Sequence, residues 1–432
     1  MTLPRIVIVG GGAGGIELAT RLGRILGRRK KADIILVDRN PTHIWKPLLH
    51  EVAVGAIDTD LDQVSYQSHS RSNHYRFQLG TMSGLNREAQ KITLAPVSDD
   101  KDQQILPERH IEYDYLVLAL GSVSNDFGTP GVKDNCFFLD SPQQAEYFRR
   151  EMLNTFLRKA SSEKHDGSDL TVAIVGAGAT GVELSAELFN AIEMLNSYNA
   201  NDFPRNSLKV HLIEAAPRIL PALGERISEK VYRQLQVLGV EIHTSTQVSQ
   251  ADKKGFETST GSRIEADLLV WAAGVRGPQL LSTLGLSTRP NHQVLVEETL
   301  RSIDDPRIFA IGDCAACPQP QNRFVPPRAQ AAHQMSSQLV INFKRLLRGD
   351  ELKPFIYKDM GSLVSLSKFQ TFGSIMRGTS MRGFFVEGWL AKTSYTSLYR
   401  MHQLAIYGWP RTIAKVIVDR LNRWLQPKLK LH

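Results

Sequence analysis

The strongest constraint on this chain is a duplication. The segment Ile8-Val9-Gly10-x-Gly12-Ala13-x-Gly15-x-Glu17-Leu18 returns 166 positions later as Ile174-Val175-Gly176-x-Gly178-Ala179-x-Gly181-x-Glu183-Leu184. The echo continues, residues 32–38 matching 208–214 in pattern and residues 113–121 matching 266–274. Each copy opens with a β-branched strand, a glycine turn, a helix and a second strand ending in an acid, Asp38 or Glu214. In such a unit the first glycine makes the tight turn and the second lets backbone approach a pyrophosphate. The third lets helix pack on strand, and the helix N-terminus offers free N–H groups to the phosphates. One such motif is weak evidence, whereas two in register predict two dinucleotide-binding units. Asp38 lies 23 residues beyond Gly15, near the spacing of about 20 for a ribose-binding carboxylate. Glu214 lies 33 beyond Gly181, so extra chain is expected in the second crossover, around residues 196–206.

The expected fold is therefore α/β, with two Rossmann-like dinucleotide-binding domains, the second nested in the first. A late strand-like segment, Arg307-Ile-Phe-Ala-Ile-Gly312-Asp313, returns to the first unit. The expected division is 1–125 with 290–360, then 126–289, then a C-terminal module over 361–432. A length of 432 residues suits two or three domains. Three cysteines cannot form a disulfide framework and favour a reduced compartment. The chain opens almost at once on a strand rather than an export signal, and no run of about 18 apolar residues predicts a spanning helix. No histidine or cysteine spacing indicates a metal, and none is expected.

The formal charge of +8 is local: from Met376 onward ten basic residues face two acidic ones, and the preceding 375 residues balance. This placement speaks against a nucleic-acid partner, whose binding spreads basic residues over the folded body. Arg28-Arg29-Lys30-Lys31 reads as a solvated loop. From Pro410, apolar residues at 413, 416, 417, 421, 424 and 425 form one helical stripe, with Arg411, Lys415, Arg420 and Arg423 largely opposite. With Tyr399, Tyr407 and Trp409 upstream, this suits a helix lying on an anionic lipid surface. A core helix or a homodimer contact is the alternative.

The nested arrangement resembles the two-dinucleotide-binding-domain flavoproteins. That resemblance implies non-covalent FAD on Gly10, Gly12, Ala13, Gly15, Asp38, Lys46, Ala119, Gly121, Gly312 and Asp313. It implies NADH as substrate on Gly176, Gly178, Gly181, Glu214, Ala273 and Gly274. The Glu214 carboxylate would repel the extra phosphate of NADPH, although Arg218 lies nearby. Disulfide reductases of this superfamily carry a cysteine pair near residues 43–55, where this chain has none. Cys314 and Cys317 read as packing residues, with a redox dithiol or metal pair as alternatives.

Gln330 and Gln334 are spaced i, i+4 after Pro326-Pro327 and share a helix face. With Trp45-Lys46-Pro47-Leu48-Leu49 and both glycine motifs, Ala329-Gln330-x-Ala332-x-Gln334 is similar to the bacterial type II, non-proton-pumping NADH:quinone oxidoreductases. The similarity runs the full length. It implies that Ala329, Gln330, Ala332 and Gln334 line a quinone site, that Lys46 lies near the flavin, and that Glu183 lies near the nicotinamide. For Glu183 the alternative is an exposed helix-start carboxylate. His43, His50, His69 and His74 read as surface or packing residues. The expected protein is a peripheral respiratory NADH dehydrogenase on the cytoplasmic face of the bacterial inner membrane. It passes hydride from NADH to FAD and two electrons to membrane quinone without pumping protons. A soluble Cys314/Cys317 reductase and an NADH-sensing membrane protein are the other readings.

Overall fold

The computed structural model describes residues 3–57, 59–99, 101–161, 169–198, 208–375 and 384–425. The run Ile6-Val7-Ile8-Val9 is continuously apolar because its strand is covered on both faces, as central parallel strands are. This strand, β1 (Arg5–Val9), leads through the first glycine turn into α1 (Ala13–Leu22) and back to β2 (Asp33–Asp38). Strands β3 (Arg76–Leu79) and β4 (Tyr115–Leu118) follow. The second copy repeats the plan with β5 (Leu170–Val175), α2 (Ala179–Tyr198), β6 (Leu208–Ile213), β7 (Val240–His243) and β8 (Leu268–Trp271). The chain then returns as β9 (Ile308–Ala310), which pairs in parallel with β4 through Leu116 and Ile308. The two parallel sheets have the orders β9-β4-β1-β2-β3 and β7-β6-β5-β8. Nesting and the returning strand are thus as expected.

The duplication extends further than its motifs. In each unit a three-stranded antiparallel meander stands between the last two repeated strands. Its strands are Met82–Asn86, Lys91–Leu94 and Arg109–Glu112 in the first copy, and Val248–Asp252, Gly255–Thr258 and Arg263–Glu265 in the second. The extra length of the second crossover begins as helix, α2 being 20 residues against 10 in α1. The remainder of that expected insertion, 199–207, lies outside the described residues.

After β9 comes α3 (Ala329–Leu346), packed along α1. The C-terminal part is an antiparallel sheet, β10 (Gly361–Leu366), β11 (Gln370–Ile375) and β12 (Phe384–Glu387), followed by α4 (Trp389–Tyr407) and α5 (Trp409–Leu425). Val364, Leu366 and Phe372 of that sheet join the core of the second unit, and Ile406 of α4 joins the core of the first. Apolar burial thus fixes the C-terminal part across both units.

Candidate active site

Two glycine turns repeat atom for atom. Gly10 has φ +104° and Gly176 φ +102°, and a Cβ would meet Ala119 O at 2.3 Å in the first and Ala273 Cα at 2.7 Å in the second. Ala119 and Ala273 are therefore the walls against which the turns press. A Cβ on Gly15 would lie 1.8 Å from Gly10 O, and one on Gly181 2.0 Å from Gly176 O, so only glycine lets each helix close on its strand. Gly12 and Gly178 differ: nothing stands within 4 Å of a Cβ there. Gly12 is also the N-cap of α1 and supplies no side-chain cap, and Ala13 to Gly15 form an uncharged first turn. Free N–H groups beside open space are what a pyrophosphate requires.

The two acids are equivalent as well. Asp38 accepts from Gly11 N at 2.6 Å and Asn40 N at 2.8 Å, while Glu214 accepts from Ala177 N at 2.8 Å and Ala216 N at 2.9 Å. Each carboxylate stiffens its glycine turn and is held where a ribose hydroxyl would arrive. Burial raises the pKa of Asp38, with the two N–H bonds opposing. Arg218 donates to the carbonyls of Leu220 and Pro221 at 3.3 and 2.9 Å, so its guanidinium is already engaged beside Glu214.

Asp313 is brought beside the first turn by the returning strand. Ser122 Oγ donates to Asp313 Oδ2 at 2.7 Å, and Lys46 Nζ donates to Ser122 O at 2.8 Å and pairs with Asp140 at 3.2 Å. Burial raises the Asp313 pKa, against the Ser122 bond and the Lys46 charge. Gly312 (φ +72°) and Gly121 (φ +67°) make the two bends around this cluster. Ser122, Asp313, Val275, Arg276 and Pro326 line a cavity of about 190 Å³ where the two units meet, and Gly274 (φ +63°) turns the chain toward it.

Gln330 and Gln334 share one helix face, and both amides are engaged by the segment leading into β10. Gln330 donates to Gly361 O and accepts from Met360 N, each at 3.0 Å; Gln334 donates to Lys358 O at 2.8 Å and accepts from Lys358 N at 3.0 Å. Each side chain pairs as a peptide group would. Ala332 is almost wholly buried and lies 3.3 Å from Cβ positions built on Gly14 and on Gly312. Its small size thus permits the close approach of α3 to α1, and Ala329 opens the same helix.

Glu183 is 6 % exposed, so the exposed helix-start reading is overturned. Strand β10 covers it: Ser365 N donates to Glu183 Oε1 at 3.0 Å, Tyr395 of α4 bonds it, and His50 Nδ1 stands 3.7 Å from Oε2. Burial pushes its pKa up to about 8 and pulls that of His50 down to about 4, so at neutral pH both are predominantly uncharged. The segment 358–365 therefore touches Gln334, Gln330 and Glu183 in turn, joining helices of both units.

Residues 4–336 match the family described as Pyridine nucleotide-disulphide oxidoreductase. A type II NADH:quinone oxidoreductase of Haemophilus influenzae is 45 % identical over the whole of both chains. The chain belongs to the type II NADH:quinone oxidoreductase family. A relative of the same description from Staphylococcus aureus is 29 % identical, over 86 % of this chain and 89 % of its own. Among solved structures, NDH2 from Plasmodium falciparum in complex with NADH superposes with a TM-score of 0.83 at 20 % identity, over 99 % of this chain and 100 % of that one. The sulfide:quinone oxidoreductase of Aquifex aeolicus gives 0.73 at 16 %, over 98 and 96 %.

Within this family the disulphide of the broader description has no counterpart here. Cys314 is fully buried with its thiol 3.2 Å from Ile311 O, and burial pushes the thiols of Cys314 and Cys317 up to about 11 and about 12. Neither is a thiolate at neutral pH, which favours the packing reading. Sequence reasoning missed Glu17, His333, His402 and Tyr395. His333 Nδ1 and His402 Nδ1 stand 2.6 and 2.9 Å from the two oxygens of buried Glu17, and His43 Nε2 is 2.9 Å from His402 Nε2. His43, His50 and His69 are packing residues, whereas His74 caps a helix in the left-handed region.

Proposed function

We propose that the enzyme oxidises NADH on its second unit, holds FAD non-covalently on its first, and delivers electrons to a membrane quinone. NADH–quinone oxidoreduction is the activity of the family. The observation that carries the division of labour is the pair of equivalent carboxylates, Asp38 and Glu214, each beside an open glycine turn. FAD, when bound, supplies the two-electron relay between donor and acceptor. Gly10, Gly12, Ala13 and Gly15 would receive its pyrophosphate, Asp38 its adenosine ribose, and Asp313, Ala119, Gly121, Gly312 and Lys46 the flavin half. Gly176, Gly178, Gly181, Glu214, Ala273 and Gly274 would seat NADH in the same manner. The shared contact of Gln330, Gln334 and Glu183 with segment 358–365 supports a quinone site closed by that segment, with Ala329 and Ala332 on its α3 side. Glu183, neutral at pH 7, is able to hold and return a proton there. Most of the acceleration comes from fixing the rings in order.

The domain limits 1–125 with 290–360, 126–289 and 361–432 follow the two sheets and the C-terminal part. Membrane attachment rests on α5. Trp409, Ile413, Ile417 and Leu421 recur every four residues and are 69, 52, 55 and 53 % exposed, so this row is not spent on the protein's own core. Val416 is half-buried, Lys415 pairs with Asp62 at 3.6 Å, and the side chains of Arg420, Arg423, Trp424 and Leu425 lie outside the described residues, as do Lys428 and Lys430. Among the described residues no helix is long and apolar enough to cross a membrane. The reading is a peripheral, non-pumping dehydrogenase on the cytoplasmic face of the bacterial inner membrane, with an anionic lipid surface as partner; a homodimer through the same row is the competing use. The test is NADH oxidation by FAD-loaded protein with a short-chain quinone, alone and on anionic vesicles enclosing a pH dye. Rapid quinone reduction without an interior pH change is expected. Failure to reduce quinone overturns the reading.

A further inference from the structure

The edge of the second parallel sheet carries a group of side chains that neither the nucleotide turns nor the quinone reading uses. Strands β6 and β7 pair in parallel with His211 opposite Glu241 and Ile213 opposite His243. Side chains alternate along a strand, so His211, Glu241 and His243 project from one face. Their donor atoms converge: His211 Nδ1 is 3.2 Å from His243 Nε2 and 3.3 Å from Glu241 Oε2, and all three lie within 4.8 Å of one another.

We propose that His211, Glu241 and His243 bind one zinc-class divalent cation on the outer edge of the NADH unit. A zinc ion with ligands at about 2.0 to 2.1 Å in a tetrahedron places neighbouring ligand atoms about 3.3 Å apart, which is the spacing seen. Hydrogen bonding alone serves the cluster poorly. One ring nitrogen, His211 Nδ1, faces both a second imidazole nitrogen and a carboxylate oxygen, and it carries at most one proton for both. A cation satisfies all three lone pairs together. The nearby cation Lys209 is held by Asp169 at 3.2 Å. The side chain of His211 is 16 % exposed and that of Glu241 58 %, so the ligands are fixed by paired strands while the fourth position stays open to water. Two imidazoles with one carboxylate suit zinc better than magnesium or calcium.

The site is coupled to the nucleotide turn through backbone. Glu214 N donates to His243 O at 2.8 Å, and Thr246 N donates to Glu214 O at 2.9 Å. Clamping His243 to His211 therefore braces the strand end that presents the Glu214 carboxylate.

The test uses the full-length FAD-loaded protein, stripped with a chelator and exchanged into chelator-free buffer. Zinc chloride is titrated against a chromogenic competitor. One equivalent should be held by the intact chain, lost in His211→Ala and in His243→Ala, and weakened by about tenfold or more in Glu241→Gln. Zinc should raise the melting temperature of the intact chain and leave that of the histidine variants unmoved. Flavin absorbance and zinc-free NADH turnover close to those of the intact chain establish that the variants are folded. Should the intact chain hold no zinc, or the histidine variants keep the equivalent, the assignment is wrong.

Discussion

Glu17 and Glu183 hold the same position in the two glycine-motif helices, 166 residues apart, and the C-terminal segment closes over both. Glu17 meets His402 of α4 at 2.9 Å, whereas Glu183 meets the backbone of β10 at Ser365 and the hydroxyl of Tyr395. Both are almost wholly buried, yet their acidities move in opposite directions. Burial alone would raise each. At Glu17 the bonds and charges of His333 and His402 outweigh burial and lower the pKa. At Glu183 the neighbouring His50 is itself neutral, the acids Glu51 and Glu187 lie near, and the pKa stands at about 8. One repeated position thus gives an ion-paired latch in one unit and a neutral carboxylic acid in the other.

Glu183→Gln should remove a pH dependence of stability. The folded carboxyl titrates near 8 and the unfolded one near 4.5. Stability from this group is therefore complete below about pH 4.5 and lost as the pH rises through about 8, at up to about 1.4 kcal/mol per pH unit. The glutamine variant still accepts from Ser365 N and has no charge to bury. Melting curves should place it level with the intact chain in mild acid and above it near pH 9. A parallel dependence in both proteins would show that Glu183 ionises freely.

Glu17→Ala should loosen α4. Removing one partner of a buried pair leaves the others without compensation and costs about 3 kcal/mol or more. The lowered pKa of Glu17 means that this stabilisation is present above the ordinary carboxylate range and lost on acidification. The variant should therefore melt well below the intact chain at neutral pH, the gap narrowing in acid. Amide exchange in 389–407 should rise with it.

Both sheets, the nesting and the returning strand were legible in the sequence because close approach at Gly10, Gly15, Gly176 and Gly181 is dictated by neighbours along the chain. The latch was not. Glu17 and His402 are 385 positions apart, and no periodicity of α1 announces a partner on α4. Glu183 was legible as a candidate but not in its environment, because a helix dipole describes only its own helix and not the strand that β10 lays over it. The glutamines were found by their spacing, but their pairing with residues 358–361 depends on a loop without a pattern of its own.

Glu214→Arg should impair NADH use beyond the loss of one ribose bond. The carboxylate also accepts from Ala177 N and Ala216 N, and hydrogen bonds to a charged group are worth about 1.5 to 3 kcal/mol. With the turn and the ribose both affected, kcat/KM for NADH should fall by about 100-fold, while FAD content, set by the other unit, is unchanged. NADPH should become the better donor relative to NADH. An unaltered preference would remove Glu214 from the nucleotide site.

Cys314→Ser with Cys317→Ser should keep most NADH:quinone turnover. The thiols titrate near 11 and 12, and Cys314 already donates to backbone carbonyls that a hydroxyl can serve. Native protein should resist alkylation at both positions, as read by peptide mass spectrometry, and become reactive on unfolding. Loss of turnover with FAD retained would restore the dithiol reading.

Ending the chain after Gly408 should separate catalysis from membrane attachment. The cut removes the exposed row Trp409, Ile413, Ile417 and Leu421, together with Arg411, Lys415, Arg420, Arg423, Lys428 and Lys430 against the single acid Asp419. Near an anionic surface each basic residue contributes about 1 kcal/mol; Lys415 contributes less because Asp62 already holds it. The fold should survive, because α4 is tied independently by Glu17 to His402 and by Arg24 to Ile406 O at 2.7 Å. Two internal contacts are lost with the cut, Lys415 to Asp62 and Arg400 to Asp419, and both lie at the α5 boundary. The shortened protein should keep FAD and reduce a water-soluble quinone, yet fail to cosediment with anionic vesicles and lose activity toward quinone embedded in them. Salt should displace the intact chain only in part, since apolar burial is not screened as charge is. If the shortened protein stays on vesicles as tightly as the intact one but changes from dimer to monomer in solution, the row on α5 is a subunit contact and the membrane is met elsewhere.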